Sequence, residues 1–121
     1  MIRIFIADDH VLIREDFKKI IGNETDMRTV GEAKHAREII NFLTNHSCDI
    51  IILDIGLPDR NGLDVLKDIK TLAPKTKVLI LSIQPEDKIA LNALKSGASG
   101  YITKERASME LVKAIRNVFV S

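Results

Sequence analysis

The chain has 121 residues, 45% of them hydrophobic and 29% charged, which suits one ordinary globular domain with its own core. Lys and Arg number 18 against 17 Asp and Glu, a formal charge of +1; this excludes a nucleic-acid surface built on a basic excess. Cys48 stands alone, which excludes an internal disulfide and a cysteine metal site, and no apolar run reaches the roughly 18–20 residues of a membrane span.

Five short apolar runs alternate with segments of helical period. The first, Ile2–Ala7, reads as a strand; its start lacks the pattern of a signal peptide. After His10, apolar residues at Val11, Leu12, Ile13, Phe17, Ile20 and Ile21 predict a helix closed by Gly22 as C-cap. A second strand is read at Arg28–Gly31, and a helix from Ala36 to Asn45 on the stripe Ala36, Ile39, Ile40 and Leu43. Asp49–Leu53 is the third strand, with Cys48 beside it as a small buried apolar residue. Leu63, Val65, Leu66, Ile69 and Leu72 predict a helix over Gly62–Leu72, ended by Pro74. A fourth strand over Lys77–Leu81 precedes a helix from Pro85 to Ser96, stopped by Gly97. The last pair is a strand at Gly100–Ile102 and a helix from Ser108 to about Phe119.

The first, third and fourth runs carry almost no polar alternation, the pattern of strands buried on both faces. Five strand–helix alternations in this length predict an open, doubly wound parallel sheet of α/β class, too short for an eightfold barrel. In such sheets ligands gather beyond the carboxyl ends of the strands. The first strand ends in Ala7-Asp8-Asp9, the third in Leu53-Asp54-Ile55-Gly56, the fourth in Leu81-Ser82 and the fifth in Tyr101-Ile102-Thr103-Lys104. Three carboxylates, a hydroxyl and an ammonium are thus expected at one edge.

Clustered carboxylates repel, and a divalent cation relieves the conflict. Oxygen donors without His or Cys point to a hard ion, with magnesium favoured. Asp8, Asp9 and Asp54, with a carbonyl near Gly56, would hold it, Lys104 would supply a mobile positive charge and Ser82 a donor. These are parts for phosphoryl transfer to an aspartate. Bland alternatives stand beside each: Asp8 or Asp9 as a helix cap, Asp54 as a turn former, Ser82 and Lys104 as ordinary loop residues. His10, His35 and His46 lack ligand spacing and are expected on the surface.

Asp8-Asp9, DIGLPDRNG over residues 54–62, Leu81-Ser82 and SGASGYITK over residues 96–104 together resemble the receiver domains of two-component response regulators. The wording ADDH, VGEA and GASGYITK is most similar to the NarL/FixJ (LuxR-type) subfamily. The resemblance implies a flavodoxin-like, five-stranded parallel sheet of order 2-1-3-4-5 with five helices. It implies that Asp54 accepts phosphate from a sensor histidine kinase, that Asp8, Asp9, Asp54 and the Gly56 carbonyl hold Mg2+, and that Ser82 and Lys104 contact the phosphoryl oxygens. Tyr101 falls at the family's aromatic switch position. Lys88, Asn92, Lys95 and Lys113 fall on the implied output surface. The domain would be a phosphoacceptor that catalyses only its own phosphorylation and dephosphorylation. It would be cytoplasmic, without a membrane partner, dimerise when phosphorylated, and act on DNA only through a helix-turn-helix domain outside this chain.

On this reading one receiver domain fills residues 1–121, an excised domain in preference to a stand-alone one. Three departures from the family pattern stand out: Glu105 follows Lys104 where proline is common, Ile83 is bulky beside Ser82, and Gly56 offers no side chain. Rival classes are a magnesium-dependent phosphatase or phosphotransferase, which would carry Asp-x-Asp after the first strand, and an FMN module, whose phosphate loop would be rich in Ser, Thr and Gly.

Overall fold

The computed structural model describes residues 1–83 and 88–121. Its elements are β1 (Ile2–Ala7), α1 (Val11–Gly22), β2 (Met27–Ala33), α2 (Ala36–Asn45), β3 (Ile50–Asp54), α3 (Gly62–Leu72), β4 (Lys77–Ser82), α4 (Lys88–Lys95), β5 (Gly100–Thr103) and α5 (Lys104–Val120). The strands pair in parallel in the order β2-β1-β3-β4-β5, as the resemblance implied.

The apolar runs form strands because helices cover both faces of the sheet. Ile50, Ile51, Ile52 and Leu53 of β3 are all fully buried, each contributing about 1.5–3 kcal/mol of apolar burial. Ile51 and Leu53 join a cluster with Ile39 and Leu43 of α2, Leu66 and Ile69 of α3, and Ala90 and Ala93 of α4. Ile50 and Ile52 face the other way, toward Phe17 and Ile21 of α1 and Leu111 and Ile115 of α5. The period-2 geometry of a strand thus splits one apolar run between two cores. Cys48 is buried, as expected.

Several boundaries differ from the sequence reading. α1 runs through Gly22 and is capped by Asn23, whose N–H reaches the carbonyls of Lys19 and Ile20. Val11 and Leu12, two of the apolar residues that predict this helix, stand exposed. β2 extends the expected run at both ends, to Met27 and Ala33. α5 starts at Lys104 because Thr103 caps it, its Oγ1 accepting the Arg106 N–H at 3.2 Å; the polar stretch Lys104–Arg106 gave no apolar period to betray the helix. The expected start of the fourth helix at Pro85 lies outside the described residues. Gly97 ends that helix region with φ +113°, a left-handed conformation that glycine adopts without a Cβ clash.

In this strand order the winding reverses between β1 and β3, and a crevice opens there beyond their carboxyl ends. Asp8 directly follows β1 and Asp54 ends β3. The topology therefore places both acids on the walls of one crevice.

Candidate functional site

Asp8 is fully buried and Asp54 is 4% exposed, whereas Asp9 is exposed at the mouth. The Asp8 N–H donates to the Ala33 carbonyl at 3.0 Å, which extends the β1–β2 ladder by one residue and pins the acid at the sheet edge. Arg14, one turn into α1, donates from Nη1 to the Asp8 carbonyl at 2.6 Å, while its Nε pairs with Glu32 at 2.9 Å. Neither Asp8 nor Asp9 caps α1: the N-cap is His10, without a side-chain cap bond.

Asp54 is held from two sides. Its Oδ1 accepts the Gly56 N–H at 2.8 Å, and its Oδ2 accepts from Lys104 Nζ at 3.1 Å. The turn-forming role is therefore real, but it occupies one carboxylate oxygen and leaves the other to the cation. Gly56 is exposed, and a Cβ there would lie 3.3 Å from Asp54 Oδ1, so the absence of a side chain leaves that oxygen uncrowded. Burial pushes the Asp54 carboxyl above its ordinary pKa; the Gly56 N–H opposes this, the charge of Asp8 adds to it, and Lys104 offsets part of it.

Lys104 was expected to be mobile. It is instead the first residue of α5, with its side chain 13% exposed and Nζ 2.9 Å from Asp8 Oδ2. Burial disfavours its charged form, but the carboxylates of Asp8 and Asp54 prevail and hold its pKa above the ordinary value. The contact with Asp8 Oδ2 is an ion contact without hydrogen-bond alignment, and that buried oxygen has no other hydrogen bond. Ser82 is buried at the end of β4, paired in register with Thr103, one residue beyond the Leu81 that pairs with Asp54. Tyr101 is half-buried on β5 and packs against the core formed by α2, α3 and α4. Ile83 points outward, 74% exposed. Lys88, Asn92, Lys95 and Lys113 are exposed.

The sequence reading missed two neighbours. His10 and Arg14 reach the site through the turn after β1 rather than through any ligand spacing; the signal available was their position just after the acid pair and one helical turn later. Of the other histidines, His46 is exposed, whereas His35 is half-buried at the N-terminus of α2.

Residues 4–116 match the family described as response regulator receiver domain. This chain belongs to the response-regulator receiver-domain family. The receiver is 33% identical over 118 residues to the DNA-binding transcriptional activator DevR/DosR of Mycobacterium tuberculosis, covering 98% of this chain and 54% of that protein. It is 36% identical to the oxygen regulatory protein NreC of Staphylococcus epidermidis, covering 97% of this chain and 54% of NreC. It thus spans about half the length of these curated relatives. Among solved structures, the response regulator domain of Thermotoga maritima CheB superposes with TM-score 0.90 at 31% identity, covering 100% of this receiver and 98% of that chain. A LuxR-family regulator from Aurantimonas sp. SI85-9A1 superposes with TM-score 0.89 at 31% identity, covering 98% and 84%. The NarL/LuxR resemblance read from the motifs is borne out by these relatives.

The donor set of the receiver suits a divalent ion. One ligand atom from each of Asp8, Asp9, His10 and Asp54 lies within 4.8 Å of the others, and the Lys104 ammonium already stands among them as a positive charge. Among the described residues no helix is long and apolar enough to cross a membrane.

Proposed function

We propose that this receiver is a phosphorylation switch in which Asp54 takes a phosphoryl group from the phosphohistidine of a sensor kinase. The observation that carries this is the grip on Asp54: a nearly buried carboxylate at the crevice, with one oxygen turned to Lys104 at 3.1 Å and with Asp8 and Asp9 beside it. In the transfer, an Asp54 oxygen forms the new bond to phosphorus while the P–N bond breaks and its electron pair returns to the kinase imidazole. Asp8, Asp9, Asp54 and the Gly56 carbonyl would hold Mg2+, which when bound screens the carboxylates and the transferring oxygens. Lys104 and Ser82 would receive the phosphoryl oxygens as donors. As a receiver, the domain is a phosphoacceptor that would promote its own phosphorylation and hydrolysis.

The added group brings about −1.5 to −2 charge and three acceptor oxygens. It draws Lys104 and Ser82 inward and biases a two-state surface of α4, β5 and α5, with Tyr101 as the moving aromatic. Lys88, Asn92, Lys95 and Lys113 supply the exposed polar contacts of that surface, which would form a homodimer. The likeness to DNA-binding regulators about twice this length supports output through a helix-turn-helix domain, in the cytoplasm, with DNA contacted by that domain and not by this one.

The test is incubation with acetyl phosphate and Mg2+ followed by intact mass. One phosphoryl group is expected, absent without the metal and absent in Asp54→Asn. A modified Asp54→Asn protein would place the acceptor elsewhere.

A further inference from the structure

Two arginines stand side by side at the foot of the sheet. In the parallel pairing of β1 with β2, Arg3 is the direct partner of Arg28, on neighbouring strands about 4.8 Å apart. Ile2, Ile4 and Met27 belong to the core under α1 and α5, so alternation turns both arginines to the opposite face, the side of α2. Like charges directly opposite on one face repel. Among the described residues no carboxylate relieves the pair. Glu24 and Asp26, just before Arg28, are both bound to Arg116, at 2.7 and 2.6 Å. Glu32, beyond it, is held by Arg14 and Lys18, and Asp49 accepts the backbone N–H of Arg3 at 2.8 Å. The Arg3 guanidinium has only the Ser47 hydroxyl, Nη1 donating to Oγ at 3.3 Å. The exposed Arg28 guanidinium has neither hydrogen bond nor ion pair with any described residue.

The two side chains share a groove. Arg3 and Arg28 line a hollow of about 350 Å³ with Phe42 and His46 on its wall. An adjoining hollow of about 440 Å³ shares Arg3 and His46 and adds Thr44 and Ser47. Among the described residues no acid lines either one. His46 follows the last turn of α2, its ring stacked on Phe42 at 5.1 Å and 14°. Phe42 in turn lies 4.6 Å from the buried ring of Phe5, which anchors that wall to the core. The carboxyl end of α2 attracts a cation through its dipole, but this does not account for a second one that touches nothing. Paired guanidinium forks offer more N–H donors than a carboxylate has oxygens, whereas a phosphate group presents three or more acceptors to them.

We propose that Arg3 and Arg28 form an anion site for a small phosphate-bearing ligand, at the edge of the sheet opposite the Asp54 crevice. Both arginines stand near the starts of their strands, whereas Asp8 and Asp54 stand at the carboxyl ends. The phosphate lies across the two guanidinium forks, and Thr44, Ser47 and His46 border the space for the rest of the ligand. Bound anion screens the repulsion between the strands and so stabilises the amino edge of the fold. The site needs neither a metal nor a phosphorylated Asp54, and it stands or falls apart from the switch.

The experiment titrates the protein with pyrophosphate and with AMP at low ionic strength, with a chelator present so that the acidic crevice holds no cation. Amide NMR shifts locate the anion, and the melting temperature reports its effect on the fold. Saturable shifts are expected around Arg3, Arg28 and His46. At tenfold excess over the dissociation constant, Tm should rise by about 4 °C. Arg28→Ala should weaken binding about tenfold or more, the scale of a lost hydrogen bond to a charged group. Without ligand the same variant should melt no lower than the native protein, since it removes a repelled charge. Shifts centred on Lys104 and Asp54 would put the anion in the crevice and overturn the site. A gain in Tm that sodium chloride of equal ionic strength reproduces would be screening alone and would overturn it too. So would equal binding by Arg28→Ala, or no saturation of either probe below about 10 mM.

Discussion

Asp54 carries a tension that can be measured without any phosphate. Its folded pKa is raised, chiefly by burial, while its unfolded value is about 3.9. The folded state therefore holds the Asp54 proton more tightly than the unfolded state does. Above the folded pKa both states are ionised, and the charge weakens the fold in full. As pH falls through the folded pKa the penalty lifts, and below the unfolded value it is gone. Asp54→Asn should consequently melt at a higher temperature than the native domain at pH 7 in metal-free buffer, and the gap should narrow as pH falls toward 4. A lower Tm for the variant at pH 7 would mean that the contact with Lys104 outweighs burial. The place of Asp54 at the crevice was legible from its position after an apolar strand. The double grip by Gly56 and Lys104 was not, because it depends on a turn and on a helix start that leave no periodic trace.

Among the elements, the loop between β3 and α3 is fastened at its far side by Asp59. Its two carboxylate oxygens accept the Ala36 and Arg37 N–H groups at 2.8 and 3.2 Å, so a residue of one connection closes the open N-terminus of α2. Burial works against ionised Asp59, but these N–H groups prevail and hold its carboxyl below the ordinary value. Its stabilising contribution is present above the unfolded pKa and fades as pH drops through the folded one. Asp59→Ala should lower stability by about 1 kcal/mol, the usual cost of a lost cap, seen as a lower urea midpoint at pH 7, with the deficit shrinking in acid. A pH-independent deficit would point to packing instead. Periodicity located α2 and α3 well, since Ile39, Leu43, Leu66 and Ile69 all enter one core. It failed at the ends: an exposed Val11-Leu12 pair looks, in sequence, the same as the start of a buried stripe.

For the whole molecule, the alternation of buried strands and amphipathic helices, with a length too short for an eightfold barrel, was enough to read an open parallel sheet, because helices on both sides bury both faces of runs like Ile50–Leu53. The order of the strands came from the resemblance, since nothing local specifies which strand neighbours which. Cys48 provides a test of the finished core. Burial pushes its thiol up to about 12, so almost no thiolate exists near pH 8. A disulfide reagent should label it only when the core opens, at a rate that rises with urea in step with global unfolding. Rapid labelling in native buffer would contradict the packing. Cys48 and Asp54 lie at opposite ends of the same strand run, about 20 Å apart by the rise of an extended chain. The lower end is latched by Arg3, whose carbonyl accepts the Asp49 N–H and whose own N–H donates to the Asp49 carboxylate, and by the Thr76 hydroxyl on the Cys48 carbonyl. The protein therefore carries its own stopwatch at the far pole from its signal. Should charging Asp54 lengthen the labelling time of Cys48, the event at the crevice tightens the entire sheet. An unaltered time would confine the event to the upper rim, where loops alone relay it.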